Sequence, residues 1–244
     1  MPMWQTVRVR AGQILDIGRA VCGVRGYLMF AGGLNTTRVL GSRSTFVRAG
    51  IGGIDGRALV EGDQIDVSAT PGRPVEHHML HPAHWPAYGG TVTLEVTAGP
   101  HDDWLDDGGR EALLDGSWTV TAQSDRTGYR LEGPPLTYAE RAYVKPAENG
   151  SSPTHIVNTG YPVGGINLAG ASPIILPVDG PSQGGFITPY TVVSSALWKL
   201  AQAKAGDRVL FREVSISDAR RLRIRHQDLC NWPRLVRLDR LSDC

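Results

Sequence analysis

Cysteine is scarce in this sequence. Cys22, Cys230 and Cys244 are odd in number and show no paired spacing. This excludes a disulfide framework and a cysteine zinc site, and makes a reducing, cytoplasmic setting the expected one. Net charge is scarce as well. The 25 basic and 24 acidic residues leave +1 over 244 residues and are interleaved over most of the chain. Nucleic acid therefore finds no electrostatic footprint, and a compact uncharged partner or substrate fits better. Long apolar runs are missing too. The opening "MPMWQTVRVRAG" has no apolar segment behind its positive charges, and no stretch is long enough to span a bilayer, so a soluble chain without a membrane partner is expected. Two catalytic signatures are also wanting. There is no G-x-S-x-G elbow, and "AGIGGIDGRA" (49–58) lacks the Lys-Ser/Thr and the strand–helix setting of a phosphate loop.

What is present favours β structure. With 41% hydrophobic and 20% charged residues, the chain suits one large or two small domains. Thirty glycines and 16 prolines between short apolar runs point to many brief strands. A module recurs at "AGQILDIG" (11–18), "EGDQIDV" (61–67) and "AGDRVLF" (205–211): a glycine turn and then an alternating strand. Val7 and Val9 alternate with Arg8 and Arg10 with no hairpin partner upstream, so a fragment is expected. Gly26–Phe30 reads as a buried strand and 39–59 as a glycine-dense loop.

The organisation expected is a first, incomplete β lobe over 1–75, a connector over 76–90, a second β lobe over 91–216 and a helical or irregular tail over 217–244. Pro71, Pro74, Pro82 and Pro86 preclude a continuous helix in the connector region. The second lobe opens with strand 91–99, followed by a short helix around Glu111–Leu114. Another helix, "SALWKLAQAK", is expected to be capped by Ser194 or Ser195 and stopped at Gly206. In the tail, arginines from Arg220 to Arg240 are offset by Asp218, Asp228, Asp239 and Asp243, which reads as a solvated face.

Three clusters could carry chemistry. His77, His78, His81 and His84 suggest a metal, but the prolines break the helix that would align them and only Glu76 could complete a shell, so no metal is expected. "WTVTAQ" and "YRLEG" flank "SDRTG" as a hairpin. Alternation puts Arg130 and Glu132 on one face, Tyr129 and Leu131 on the other, and Arg126 on the turn. Arg130 and Glu132 could equally form a plain surface ion pair. In "VDGPSQGGF" (178–186), Asp179 precedes three glycines and Gln183 in a loop between strands, which can aim backbone N–H groups at an oxyanion. On spacing alone an ordinary β-turn is slightly favoured there.

"RGYLMFAGGLNTTRVLGSRSTF", "GGIDGRALVEGDQI", "SDRTGYRLEGPPL", "GYPVGGINLAGASPIILPVDGPSQGGFITPYTVV" and "WKLAQAKAGDRVLF" follow one another in this order. As a set they resemble the A/B half of biotin-dependent carboxyltransferases of the urea carboxylase and urea amidolyase type, also labelled allophanate hydrolase subunit 2. The resemblance covers residues 4 to about 216. The insert "AERAYVKPAENGSSPTHIVN" and the closing "DGPSQGGF" place the sequence nearer urea carboxylase than 5-oxoprolinase. Set against that family, the sequence is expected to lack the strand-rich segment that normally precedes "PMWQTVRVRAG", and also the C/D half, the biotin carboxylase and the biotin carrier. Activity of this chain alone is not expected.

The resemblance implies two cyclophilin-like β-barrel lobes. It also implies biotin as cofactor, carried on a partner domain, and transfer of a carboxyl group to urea or a related amide. The implied partners are the C/D half, the carrier and the biotin carboxylase, the last using ATP. Such chemistry needs donors for charge building on the ureido oxygen and a cation for the carboxylate. Backbone N–H groups around Gly184 and Gly185 answer the first need, and Arg126 or Arg130 the second. Tyr129 would line the slot, Asp179 and Glu132 would orient urea nitrogens, and Asn158, Gly180 and Gln183 would add polar contacts. The competing expectations are a non-catalytic cyclophilin-like binding protein and a 5-oxoprolinase component working without biotin.

Overall fold

The computed structural model describes residues 3–68, 78–231 and the backbone of 235–237. The described residues form eleven strands and three short α-helices, so the mainly β expectation holds. The chain divides into two compact units, one drawn from 1–16, 26–80 and 235–244, the other from Ile17–Arg25 and His81–Arg234.

In the first unit, β1 (His78–Leu80) pairs antiparallel with β11 (Leu235–Arg237). Isolated bridges join Gln5 to Met79 and Leu34 to Val67. Gly12 and Gly62 make the expected turns at φ of 79° and 89°, a region closed to most side chains. The strands expected after them do not form ladders. Gly26–Phe30 is also a correction: it is neither strand nor buried, with Tyr27 81% and Met29 87% exposed. Apolar content specifies a strand only where another strand supplies the ladder bonds, and among the described residues none does so here. A bidentate pair organises this unit, Arg57 donating to both Asp63 oxygens at 2.8 and 2.9 Å, with the Val60 amide as a third donor. The Arg57 hydrogen bonds, reinforced by that amide, hold the Asp63 carboxyl down to about 2.

The second unit is built on a closed barrel. Its strands are β2 (Thr91–Ala98), β3 (Trp118–Val120), β4 (Tyr129–Glu132), β6 (Gly165–Ala169), β7 (Ser172–Ile175), β9 (Tyr190–Val192) and β10 (Arg208–Glu213). The order around the barrel is β10-β2-β9-β6-β7-β4-β3, returning to β10. β10 and β2 run parallel, Arg208 opposite Thr91 through Glu213 opposite Val96, and the other barrel pairs are antiparallel. Alternating residues fill the interior: Leu94, Val96, Trp118, Val120, Tyr129, Leu131, Ile166, Leu168, Ile175, Tyr190 and Val209 are all buried. Each such side chain contributes about 1.5–3 kcal/mol by leaving water. Outside the barrel, β5 (His155–Gly160) and β8 (Gln183–Phe186) make a separate antiparallel pair.

Helices close the barrel surface. α1 (Asp107–Asp115) is capped by Asp106, whose Oδ1 accepts from the Gly109 amide at 2.7 Å, and the buried Trp118 indole donates to the Leu113 carbonyl at 3.0 Å. α2 (Leu197–Ala201) departs from expectation. Ser194 and Ser195 lie within a 3-10 turn that leads into it, no side chain caps it, and it ends well before Gly206. Gly206, at φ 88°, makes the turn before β10. α3 (Ile216–Leu229) is capped by Ser215. Within the connector lie β1, which includes His78, and a 3-10 turn, Pro82–His84, N-capped by the His81 ring; His77 and Glu76 fall outside the described residues.

α2 is tied to the barrel by charge. Glu95, 7% exposed on β2, accepts from Lys199 Nζ at 2.9 Å and from Arg212 Nη2 at 2.6 Å. α2 also leads into an anchor for the strap Ile17–Arg25. The amide oxygen of Gln202 accepts from the Val24 and Arg25 amides at 3.0 and 3.1 Å, and its nitrogen donates to the Arg25 carbonyl. Arg25 Nη1 donates to the Tyr129 hydroxyl at 2.7 Å and to the Ala201 carbonyl.

Candidate functional site

The β3–β4 hairpin tip is preset by its own side chains. Asp125 Oδ1 accepts from the Thr127 amide (2.8 Å), the Thr127 hydroxyl (2.5 Å) and the Gly128 amide (3.2 Å), an Asx-type turn that replaces ladder bonds at the bend. Ser124 Oγ accepts from the Arg130 amide and donates to the Arg130 carbonyl, closing the base of the loop. Arg126 is thereby held on the tip. From there its Nε donates to Asp179 Oδ2 at 2.6 Å, across 53 residues of sequence. Gly180 backs the same junction: a Cβ there would stand 3.0 Å from the Thr127 carbonyl oxygen. The two motifs singled out in the sequence are neighbours in space.

The other expected residues fall into two groups. Gln183, Gly184 and Gly185 lie in β8 rather than in a loop, with Thr159 opposite Gly184 and Gly160 opposite Gln183. The expected order of strand, loop and strand is present, but the loop is shorter than expected, confined to 176–182, because β5 supplies a ladder partner for 183–186. Asn158 is exposed on β5, within the same two-stranded pair. Arg130 and Glu132 are exposed on the outer face of β4, and among the described residues no ion pair joins them or engages either with another group. Tyr129 faces the other way. It is 4% exposed in the barrel and its hydroxyl is taken by Arg25, so it anchors the strap and does not share a face with Arg130.

Sequence reasoning missed Tyr161. A Cβ at Gly184 would lie 2.7 Å from both Cε2 and the hydroxyl of this ring, so the glycine makes room for it. The Tyr161 hydroxyl accepts from the Phe186 amide at 2.6 Å, and its own amide donates to the Ser182 carbonyl at 2.8 Å. Burial pushes the phenol up, against the opposing pull of the Phe186 N–H. The available signal was "GYP" at the end of a strand run, where an aromatic flanked by Gly160 and Pro162 is fixed in direction. Arg25 and Gln202 were missed as well, and no local pattern could reveal a contact 177 residues apart.

A cavity of about 410 Å³ in the second unit is lined by Cys22, Tyr88, Trp198, Lys199, Lys204 and Asp207, among others, and by none of the ten expected site residues. The charged groups on its wall are already matched, Lys199 with Glu95 and Lys204 with Asp207.

Residues 1–213 match the family model for the carboxyltransferase domain, subdomains A and B. The chain belongs to that family. A urea amidolyase of Lachancea kluyveri is 35% identical over 236 residues, covering 89% of this chain and 12% of that protein. The crystal structure of Kluyveromyces lactis urea carboxylase superposes with a TM-score of 0.83 at 33% identity, covering 91% of this chain and 20% of that one. A component of the Escherichia coli 5-oxoprolinase is 27% identical over 216 residues, 88% of this chain and 64% of its own. The carboxyltransferase A/B domain described here thus spans only a small part of the urea-metabolising relatives. Among the described residues, no helix is long and apolar enough to cross a membrane.

Proposed function

We propose that this carboxyltransferase A/B domain helps move a carboxyl group from carboxybiotin to urea or a related small amide, together with a C/D half, a biotin carrier and a biotin carboxylase. The observation that carries the reading is the 2.6 Å pairing of Arg126 with Asp179, which joins the two motifs that chemistry of this kind would need. Arg130, an exposed guanidinium with no partner among the described residues, suits an oxygen-rich, anionic group, while Gly184 and Gly185 lie in the β5–β8 ladder.

Biotin supplies the transferable carboxyl group on its ureido ring, carried by a partner domain. Arg126 is committed to Asp179, so its part is to fix the direction of that carboxylate. Arg130 is the residue left to balance the charge of the carboxyl group in transit. Asp179 and Glu132 accept from the amide nitrogens and orient them. Gln183, Asn158 and the backbone at Gly180 add polar contacts that hold the small substrate. Identities of 33–37% to a urea carboxylase and two urea amidolyases, against 27% and 32% to two 5-oxoprolinase components, support urea-type substrates by a narrow margin.

The test is reconstitution with a C/D half and a biotinylated carrier, followed by urea-dependent carboxyl transfer. Arg130→Ala is expected to lower the rate by about 10²-fold. Unchanged transfer would remove Arg130 from the mechanism. Absence of biotin-dependent transfer in the unaltered protein, with 5-oxoproline hydrolysis in its place, would replace the reading by its 5-oxoprolinase alternative.

A further inference from the structure

We infer that the Tyr161 hydroxyl is a hydrogen-bond donor to the substrate oxygen that gains negative charge during transfer. The inference rests on the carboxyltransferase reading above and assigns to it a side chain that the motifs did not include.

Three observations converge on this phenol. Its oxygen is already an acceptor, from the Phe186 amide at 2.6 Å, which fixes the hydroxyl's position beside β8. Its proton has no acceptor among the described residues, and Tyr161 as a residue is only partly buried. The glycine beneath it exists for it, since any Cβ at 184 would occupy the space of the ring and hydroxyl. A fixed O–H with an unused proton, above a strand stripped of side chains, is a preorganised donor of the kind that stabilises developing oxyanions. A tyrosine hydroxyl is protonated at neutral pH, and burial pushes this one further up, so the donor is present when needed. No proton is transferred: the O–H bond stays intact, and the hydrogen bond strengthens as charge builds on the acceptor.

Two measurements decide the matter. In the first, 3-fluorotyrosine is placed at 161 in this chain and its fluorine resonance is followed while biocytin is added, with free lysine as control. A saturable shift with biocytin alone is expected; no shift would overturn the inference. In the second, reconstituted enzyme is compared with Tyr161→Phe, which keeps the ring. The expected result is a fall in kcat of about 10²-fold with KM little changed. The 3-fluorotyrosine enzyme should also lose activity at lower alkaline pH than the parent, because the donor vanishes once the more acidic phenol ionises. A purely structural tyrosine would alter thermal stability without moving that alkaline limb. If the parent transfers carboxyl groups and Tyr161→Phe matches it within about twofold, this inference fails and the carboxyltransferase reading stands. If the parent shows no transfer, the reading itself fails and takes the inference with it.

Discussion

Replacing Glu95 by glutamine probes how charge fastens α2 to the barrel. Glu95 is 7% exposed and accepts from two cations of different standing. Lys199 is half-buried, reaches both carboxylate oxygens at 2.9 and 3.2 Å, and also donates to the Thr93 carbonyl. Arg212 is 61% exposed, so solvent screens most of its contribution. Glutamine keeps an acceptor and the shape but removes the carboxylate's charge from its hydrogen bonds with Lys199 and Arg212. A charge-assisted bond is worth about 1–2 kcal/mol more than a neutral one, and only the Lys199 pair is sheltered enough to deliver it fully, so a loss of about 2 kcal/mol is expected. For a protein of this size that lowers Tm by about 4–8 °C. Burial raises the Glu95 carboxyl, but Lys199 and the other donors outweigh it and hold the group below its ordinary value. A depressed folded value means the contribution is complete above the unfolded carboxyl's pKa and is lost as pH falls through the folded one. The parent and Glu95→Gln should therefore converge in stability on acidification. Thermal melts from neutral to acid pH, with Lys199→Met and Arg212→Ala completing two double-mutant cycles, provide the assay. A Glu95→Gln Tm within about 1 °C of the parent at neutral pH, or coupling stronger to Arg212 than to Lys199, would refute the reasoning.

Gly133→Ala should destabilise the barrel by about 1–3 kcal/mol, because its Cβ would lie 2.6 Å from the ring of the fully buried Trp118; denaturant titration followed by tryptophan fluorescence reads this directly. Asp63 should titrate at about 2 by carboxyl NMR and return toward the ordinary range in Arg57→Ala, since the arginine is the leading cause of its depression.

How much was legible depended on whether a residue's partners lay nearby in sequence. The β3–β4 hairpin and β10 were readable, because their alternation and turn residues act within a few positions. Gly26–Phe30 had the apolar content of a strand, but content cannot reveal whether a ladder partner is present. Tyr129 was assigned to the slot by its chemistry, and only its burial and the approach of Arg25 disclose its other use. The roles that the resemblance implies for Arg126 and Asp179 agree with their pairing in space, whereas Tyr161 stayed hidden because its importance resides in a space left at residue 184.

The parallel pairing of β2 with β10 bears on synthesis. The earliest and the latest barrel strands lie edge to edge, so the cylinder has a seam that stays open until β10 has been made. A nascent polypeptide ending before Arg208 exposes an open edge on β2 along Thr91–Val96, the kind of edge that recruits other strands. Completion of the domain must wait for a contact spanning more than a hundred residues, which favours slow folding and makes that interval the time of greatest risk for aggregation.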